Sequence, residues 1–266
     1  MSGRTAPRPR KRFGQHFLTD RHYVDRILAA VDPRPGQHLV EIGPGRGALT
    51  CDLLRAAGRL DAVELDRDLV PLLERACAGL GELHVYQADA LRFDFCALAG
   101  EGERLRLVGN LPYNISTPLL FHLTARRHCI ADCHFMLQKE VVQRITAPPG
   151  SPHYGRLGVM LAWAWESAPL FQVPPGAFTP PPRVDSAVVR LVPRARPPVA
   201  VRDEGALARV VAAAFAQRRK TLRNSLKGLL DEAAIRAAGI DPGQRPERLT
   251  LEEFARLADQ AAARGT

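Results

Sequence analysis

HLVEIGPGRGALTCDLLRAAGRLDAVEL, residues 38–65, decides the fold. His38 to Ile42 reads as a buried strand, Ala48 to Ala57 as a helix and Leu60 to Leu65 as a second strand. The turn between the first two is Gly43-Pro44-Gly45-Arg46-Gly47. Glycines there permit positive φ and close approach of backbone to a ligand, and a helix N-terminus favours an anionic group. The dinucleotide fingerprint G-x-G-x-x-G needs its third glycine one residue later, and Ala48 fills that slot. The spacing G-x-G-x-G, with Glu41 just before the turn, fits an S-adenosylmethionine (SAM) loop better. A tight strand-to-helix turn with no ligand would use the same glycines, so this motif alone leaves both readings open.

The alternation continues outward. Upstream, Val24, Ile27, Leu28 and Val31 fall at i, i+3, i+4, i+7, an amphipathic helix with Thr19 as its expected N-cap and Asp32-Pro33 as its stop. Downstream, the pattern predicts helix 67–78, strand 83–87, strand 105–109, helix 116–127, strand 134–137 and helix 139–146. Strands and helices alternating in this way build a doubly wound, mostly parallel sheet. Two apolar, β-rich stretches, Trp163 to Val173 and Ser186 to Val192, flank a Pro-rich segment and are expected to close the sheet edge as a hairpin-like pair. They bring the expected strands to seven. Residues 202–264 show helical periodicity without a strand candidate. The expected division is residues 1–195, an α/β domain with a basic arm at 1–12, and residues 196–266, a small all-helical domain.

Ligands of such sheets sit at the carboxyl ends of the strands. Glu64 ends the second strand, where an acid can accept both ribose hydroxyls of a nucleoside. Asp89 ends the third, where a carboxylate can accept from an adenine exocyclic amine. Asn110-Leu111-Pro112-Tyr113 ends the fourth. Adenine N6 is a poor nucleophile because its lone pair is delocalised into the ring. Two acceptors aimed at its two hydrogens localise that pair, and the Asn110 side-chain oxygen and the Leu111 carbonyl can supply them. Pro112 keeps Leu111 extended. Tyr113 offers a face on which a flipped or single-stranded base can stack.

Composition bounds the partner. The 266 residues carry a net charge of +9, which favours a polyanion. Arg outnumbers Lys heavily, as a GC-rich genome alone would produce, so the position of the cations matters more than their sum. Arg10, Lys11 and Arg12 lie in an acid-free amino-terminal arm. A transit peptide would be similarly Arg-rich, but Phe13-Gly14-Gln15 follows at once and favours a functional arm. Arg218, Arg219, Lys220, Arg223 and Lys227 form a second acid-free run. On a helix, Lys220, Arg223 and Lys227 would share one face, suited to phosphates. The apolar run from Gly158 to Trp165 is too short to span a bilayer, and no signal-peptide core is present.

Five cysteines, odd in number and irregularly spaced, imply no disulfide framework and an intracellular, reducing compartment. His128-Cys129 and Cys133-His134 have metal-binding residue types, but no second ligand pair of zinc spacing accompanies them. A helix end feeding a buried strand is expected there, and no metal is assigned.

These motifs carry a resemblance. From Lys11 to about Arg248 the chain closely resembles the ribosomal RNA adenine N6,N6-dimethyltransferases of the KsgA type. The blocks are Arg12 to Leu18, Val40 to Thr50, Asn110 to Pro118, Ala177 to Ser186 and Gln217 to Leu226. The resemblance implies a class I SAM-dependent methyltransferase fold with a Rossmann-like sheet. It implies SAM as methyl donor and two adjacent adenines near the 3′ end of small-subunit (16S) ribosomal RNA as substrate, in an assembling 30S particle. By motif match, SAM contacts fall to His16, Leu18, Gly43, Glu64, Asp89 and Asn110, and Tyr113 and Phe178 sandwich the target base. His16 departs from the family's usual Asn; both side chains can donate a hydrogen bond. A monomer is expected, because no coiled-coil heptads appear, and its expected location is cytoplasmic. Two other readings stay open: a large-subunit ribosomal RNA adenine methyltransferase of the antibiotic-resistance type, and a non-catalytic ribosome assembly factor.

Overall fold

A computed structural model describes residues 16–217 and 219–264. The arm residues Arg10, Lys11 and Arg12, and Arg218 of the second basic run, lie outside the described residues. The chain divides into two compact units: residues 1–142 with 168–193, and residues 143–167 with 194–266.

The first unit opens with β1 (Phe17–Leu18) and α1 (Arg21–Val31). Asp20, not Thr19, caps α1: its side chain accepts from the His22 N–H at 2.9 Å. Val24, Ile27 and Val31 are its buried stripe, and the helix ends on Asp32 in the left-handed region (φ 46°), next to Pro33. Then follow β2 (Leu39–Ile42), α2 (Thr50–Ala57), β3 (Arg59–Glu64), α3 (Val70–Ala76), β4 (Glu82–Gln87), β5 (Leu105–Asn110), α4 (Ser116–Thr124), β6 (Ile130–Gln138) and α5 (Lys139–Thr146). α6 (Arg156–Ala164) belongs to the second unit, and β7 (Trp165–Val173) leads back into the first, which closes with β8 (Phe178–Thr179) and β9 (Ser186–Pro193).

Seven strands make one sheet in the order β4-β3-β2-β5-β6-β9-β7. β2 pairs in parallel with β3 and β5, β3 with β4, and β5 with β6, while β9 runs antiparallel to β6. The chain therefore winds outward from β2 through β4, returns to β2, and winds the other way from β5. That reversal leaves a crevice at the carboxyl ends of β2 and β5, where doubly wound sheets bind ligands. The two strands approach so closely that a Cβ on Gly109 would lie 2.5 Å from the Ile42 carbonyl oxygen. The core beneath holds Leu39, Leu53, Leu54, Leu60 and Val108, all fully buried.

One expected strand is partly helical. The apolar run at 158–165 has no periodicity that separates a buried helix from a buried strand. Residues 156–164 form α6, and only from Trp165 is the chain extended. The expected edge pair survives in shortened form as the neighbours β7 and β9.

The second unit adds α7 (Glu204–Ala214), α8 (Leu222–Ser225), α9 (Glu232–Ala237) and α10 (Leu251–Ala262). It extends beyond the division expected at 195/196 by taking in residues 143–167. The physical reason is packing: α6 buries Leu157, Val159, Met160 and Leu161 and lies against α7 and α10. Gly158 permits close approach to α5, since a Cβ there would sit 2.6 Å from the Arg144 carbonyl oxygen. Thr250 and Glu253 form a capping box at the start of α10.

The second basic run is not one helical face. Among its described residues only Leu222 to Ser225 are helical, Arg219 is left-handed (φ 71°), and Gly228 (φ 99°) turns the chain. Arg223 is on α8, whereas Lys220 and Lys227 are on the turns either side of it.

The cysteines also differ from expectation. Cys51 is bonded to Cys77 and Cys96 to Cys129, leaving Cys133 free and buried. The fold brings together residues 26 and 33 positions apart, so irregular spacing along the chain is no guide to pairing. Among the described residues no helix is long and apolar enough to cross a membrane.

Candidate active site

The crevice at the switch point is lined by all four strand ends that the sequence singles out. Gly43 and Gly45 come from the β2–α2 turn, Glu64 from β3, Asp89 from the turn after β4, and Asn110, Leu111 and Tyr113 from the end of β5. His16 and Leu18 close one side. Gly43, Gly45 and Gly47 all have positive φ, at 67°, 58° and 83°. A Cβ on Gly45 would also meet the Phe17 ring at 3.1 Å.

Glu64 is buried, and burial raises its pKa above the ordinary range. Backbone donors oppose that shift, those of Asp66 and Gly45 foremost. The Gly45 N–H reaches Oε2 at 3.0 Å and the Asp66 N–H reaches Oε1 at 2.8 Å. Each carboxylate oxygen keeps a second lone-pair site for a ligand hydroxyl. The Gly turn and the β3 acid therefore form one hydrogen-bonded unit. Asp89 is similarly oriented, its Oδ1 accepting from the Leu91 N–H at 2.9 Å.

Glu41 was a marker for the loop in the sequence, but not a site residue. It also lines the crevice, fully buried, with Thr50 Oγ1 donating to its Oε2 at 2.6 Å. Burial pushes its pKa up to about 7, with the neighbouring Glu64 charge adding to the rise. The signal that could have placed it was its position one residue inside the strand end, on the strand whose turn holds the glycines.

Asn110 is held from an unexpected direction. Its Nδ2 donates to the backbone carbonyl of His16 at 2.9 Å. That bond fixes the amide so that Oδ1 is the free acceptor end. Leu111 N–H donates to the Met136 carbonyl at 3.1 Å, which ties the next peptide to β6. The Tyr113 hydroxyl pairs with Ser186 Oγ at 2.7 Å, and its ring stacks on His16 with centroids 5.6 Å apart. His16 in turn meets the Pro180 carbonyl through Nδ1 at 2.8 Å.

The segment that supplies His16 is positioned by a second, two-stranded sheet. Phe17 pairs with Thr179 and Leu18 with Phe178. In this pairing Phe178 turns into the core beside Leu18, Val173 and Ala177, and is 3% exposed. The sandwich expected of Phe178 and Tyr113 needs a base between the two rings; in this structure the imidazole of His16 stacks on Tyr113.

The sequence model of the family described as ribosomal RNA adenine dimethylase matches residues 7–263. The chain is 56% identical over 255 residues to a ribosomal RNA small subunit methyltransferase A of Pseudomonas putida, covering 96% of each protein. It is 57% identical over 250 residues to the protein of that name in Xanthomonas campestris, covering 94% of this chain and 95% of that one. Among solved structures it resembles a dimethyladenosine transferase from Plasmodium falciparum (TM-score 0.75, 24% identity, 91% and 96% of the two chains). It also resembles the 23S rRNA methyltransferase ErmE (TM-score 0.69, 26% identity, 92% and 99%). These neighbours share the Rossmann-like sheet of the class I methyltransferases. With the glycine turn, the strand-end acids and the Asn-Leu-Pro-Tyr turn gathered in one crevice, and a match over nearly its full length, the chain belongs to the ribosomal RNA adenine dimethylase family.

Proposed function

We propose that the chain transfers methyl groups from SAM to N6 of two adjacent adenines near the 3′ end of small-subunit (16S) ribosomal RNA, giving N6,N6-dimethyladenosines. It would act as a monomer in the cytoplasm, on an assembling 30S particle. The observation that carries this reading is Asn110, with its amide nitrogen tied to the His16 carbonyl and its oxygen left as an acceptor at the rim of the crevice. The names of the relatives at 56–57% identity support the small-subunit substrate.

The residues fit a nucleoside cofactor. Gly43 and Gly45 put no side chain into the crevice, Glu64 keeps lone pairs for ribose hydroxyls, and Asp89 suits an exocyclic amine. Leu18 and His16 would complete the wall. SAM bound there would supply a methyl group activated by its sulfonium. The chain's own work is to orient the acceptor. Asn110 Oδ1 and the Leu111 carbonyl take the two N6 hydrogens and localise the lone pair between them. Tyr113, braced by Ser186, offers a face to the target base. No strong base is required, since the methylated amine can lose its proton to water. Arg10, Lys11, Arg12, Arg218, Arg219, Lys220, Arg223 and Lys227 would meet phosphates, each neutralised phosphate adding roughly 0.7–0.9 to the salt slope of binding.

The test is methyl transfer from labelled SAM to undermethylated small subunits, with mapping of the label. Label on N6 of two neighbouring adenines of the small-subunit RNA is expected. Label on large-subunit RNA, or tight subunit binding without transfer, would overturn the reading.

A further inference from the structure

At the opposite end of the sheet from the crevice, the connection before β5 meets the connection before β6. Cys96 lies on a 3-10 turn at Phe95–Leu98, and His128 and Cys129 lie on another at Arg127–Cys129. The two sulfurs and an imidazole nitrogen lie within 4.8 Å of one another. Along the chain, His128 and Cys129 lack a partner pair. In the fold the third group arrives from 32 residues upstream.

We propose that Cys96, Cys129 and His128 form a binding site for a thiophilic closed-shell cation, Zn²⁺, when the Cys96–Cys129 bond is reduced. Cys96 Sγ lies 3.6 Å from His128 Nε2. Two ligands on one tetrahedral zinc, at about 2.3 Å for sulfur and 2.0–2.1 Å for nitrogen, sit roughly 3.5 Å apart. The Arg126 carbonyl oxygen is 3.1 Å from Cys129 Sγ and 3.7 Å from Cys96 Sγ. Two sulfurs and a ring nitrogen thus converge, three ligand atoms for one cation, with the Arg126 carbonyl, which also accepts from the Cys129 N–H at 3.2 Å, beside the sulfurs. His128 is exposed, so the site is open to solvent. The other bonded pair, Cys51 and Cys77, lies in the apolar core and belongs to no such cluster among the described residues.

The chemistry balances with a small-molecule thiol as reductant. Two of its molecules give two electrons and two protons to the Cys96–Cys129 bond and leave joined as their own disulfide. Zn²⁺ then displaces the two thiol protons. The site would pin the β4–β5 connection to the α4–β6 connection by an ion where the oxidised chain pins them by a covalent bond. Gly43, Glu64 and Asn110 are at the other end of their strands, so the site is separate from methyl transfer.

The test uses the full chain, reduced by a phosphine under anaerobic conditions and titrated with Co²⁺ as a spectroscopic stand-in. One equivalent is expected to bind with a near-ultraviolet thiolate charge-transfer band, and Zn²⁺ is expected to displace it. Cys96→Ser should diminish the band and Cys51→Ser should leave it unchanged. His128→Gln, at an exposed position, should weaken binding by at least about tenfold, the scale of losing one supporting group at a metal site. If Cys96→Ser fails to fold, alkylation of the reduced wild type decides: Zn²⁺ should protect Cys96 and Cys129 but not Cys51. Absence of the band in reduced wild type, a band indifferent to Cys96→Ser, or equal alkylation with and without Zn²⁺ would overturn the proposal.

Discussion

The two ends of the parallel sheet both carry charged and polar side chains, but they satisfy them differently. At the amino ends the groups close on one another. Asp132 is held by Arg106 through paired bonds of 2.9 Å, and Arg190 approaches the same carboxylate at 3.5 Å. The other Arg106 donors go to the Val31 and Asp32 carbonyls and to Gln37. Asp61 is likewise enclosed by His38 at 2.6 Å and His84 at 3.1 Å. At the carboxyl ends, Glu64, Asp89 and Asn110 are each oriented by a backbone group and keep acceptor sites toward the crevice. A cluster that pairs internally stabilises the fold. One aimed by the backbone and left open is available to a ligand.

The sharpest break of this comparison is Arg106→Met. It leaves the buried Asp132 carboxylate without its main partner and should cost about 3–5 kcal/mol of stability. Donor affinity of the protein that remains folded should not change. Chemical denaturation read beside SAM titration calorimetry checks both, and a selective loss of SAM binding would contradict the division. Next in size is Asn110→Ala, which should lower methyl transfer by about 10²–10³-fold, the scale of deleting one preorganised polar contact to the reacting group. Its melting temperature should stay close to that of the wild type. Single-turnover transfer to undermethylated subunits measures this, and near-normal rates would remove Asn110 from the mechanism.

A smaller effect is expected at Glu41, whose carboxyl is fully buried and held by Thr50. Its folded pKa of about 7 exceeds that of an unfolded Glu, so the folded chain holds a proton that the unfolded chain releases. Stability from this group is therefore present at low pH and declines as pH rises from about 4.5 to about 7. Glu41→Gln should remove the decline, gaining on the order of 1–3 kcal/mol relative to wild type between pH 5 and pH 8. Denaturation curves at the two pH values would show it, and parallel curves for the two proteins would refute it. The smallest effect is that of His16→Asn. It removes an aromatic contact worth about 0.5–1.5 kcal/mol but keeps the backbone carbonyl that holds Asn110. KM for the ribosomal substrate should rise severalfold with kcat little changed, and a collapse of kcat would mean that the imidazole does more than brace Tyr113.

Much of the open end was legible in the sequence. Strand-helix alternation fixes which residues stand at strand ends, and Gly43, Glu64, Asp89 and Asn110 are all at such positions. What escaped depends on contacts between distant segments. The β1–β8 pairing is two residues long on each side, too short for any periodicity, and it sends Phe178 inward. The cation run breaks because Arg219 and Gly228 leave the helical region, a backbone event that charge spacing does not register. Cys96 and Cys129 meet only because two turns at the amino ends of adjacent strands are neighbours. The closed clusters at that end were unreadable for the same reason, since Arg106, Asp132 and Arg190 come from three separate strands.

The carbonyl that orients Asn110 belongs to residue 16, and the ladder that places residue 16 is completed by residues 178 and 179. In order of synthesis, the glycine turn and the strand-end acids exist long before that ladder does. The aim of the amide is thus set by a partner that lies 68 and 69 positions further along the chain than Asn110 itself.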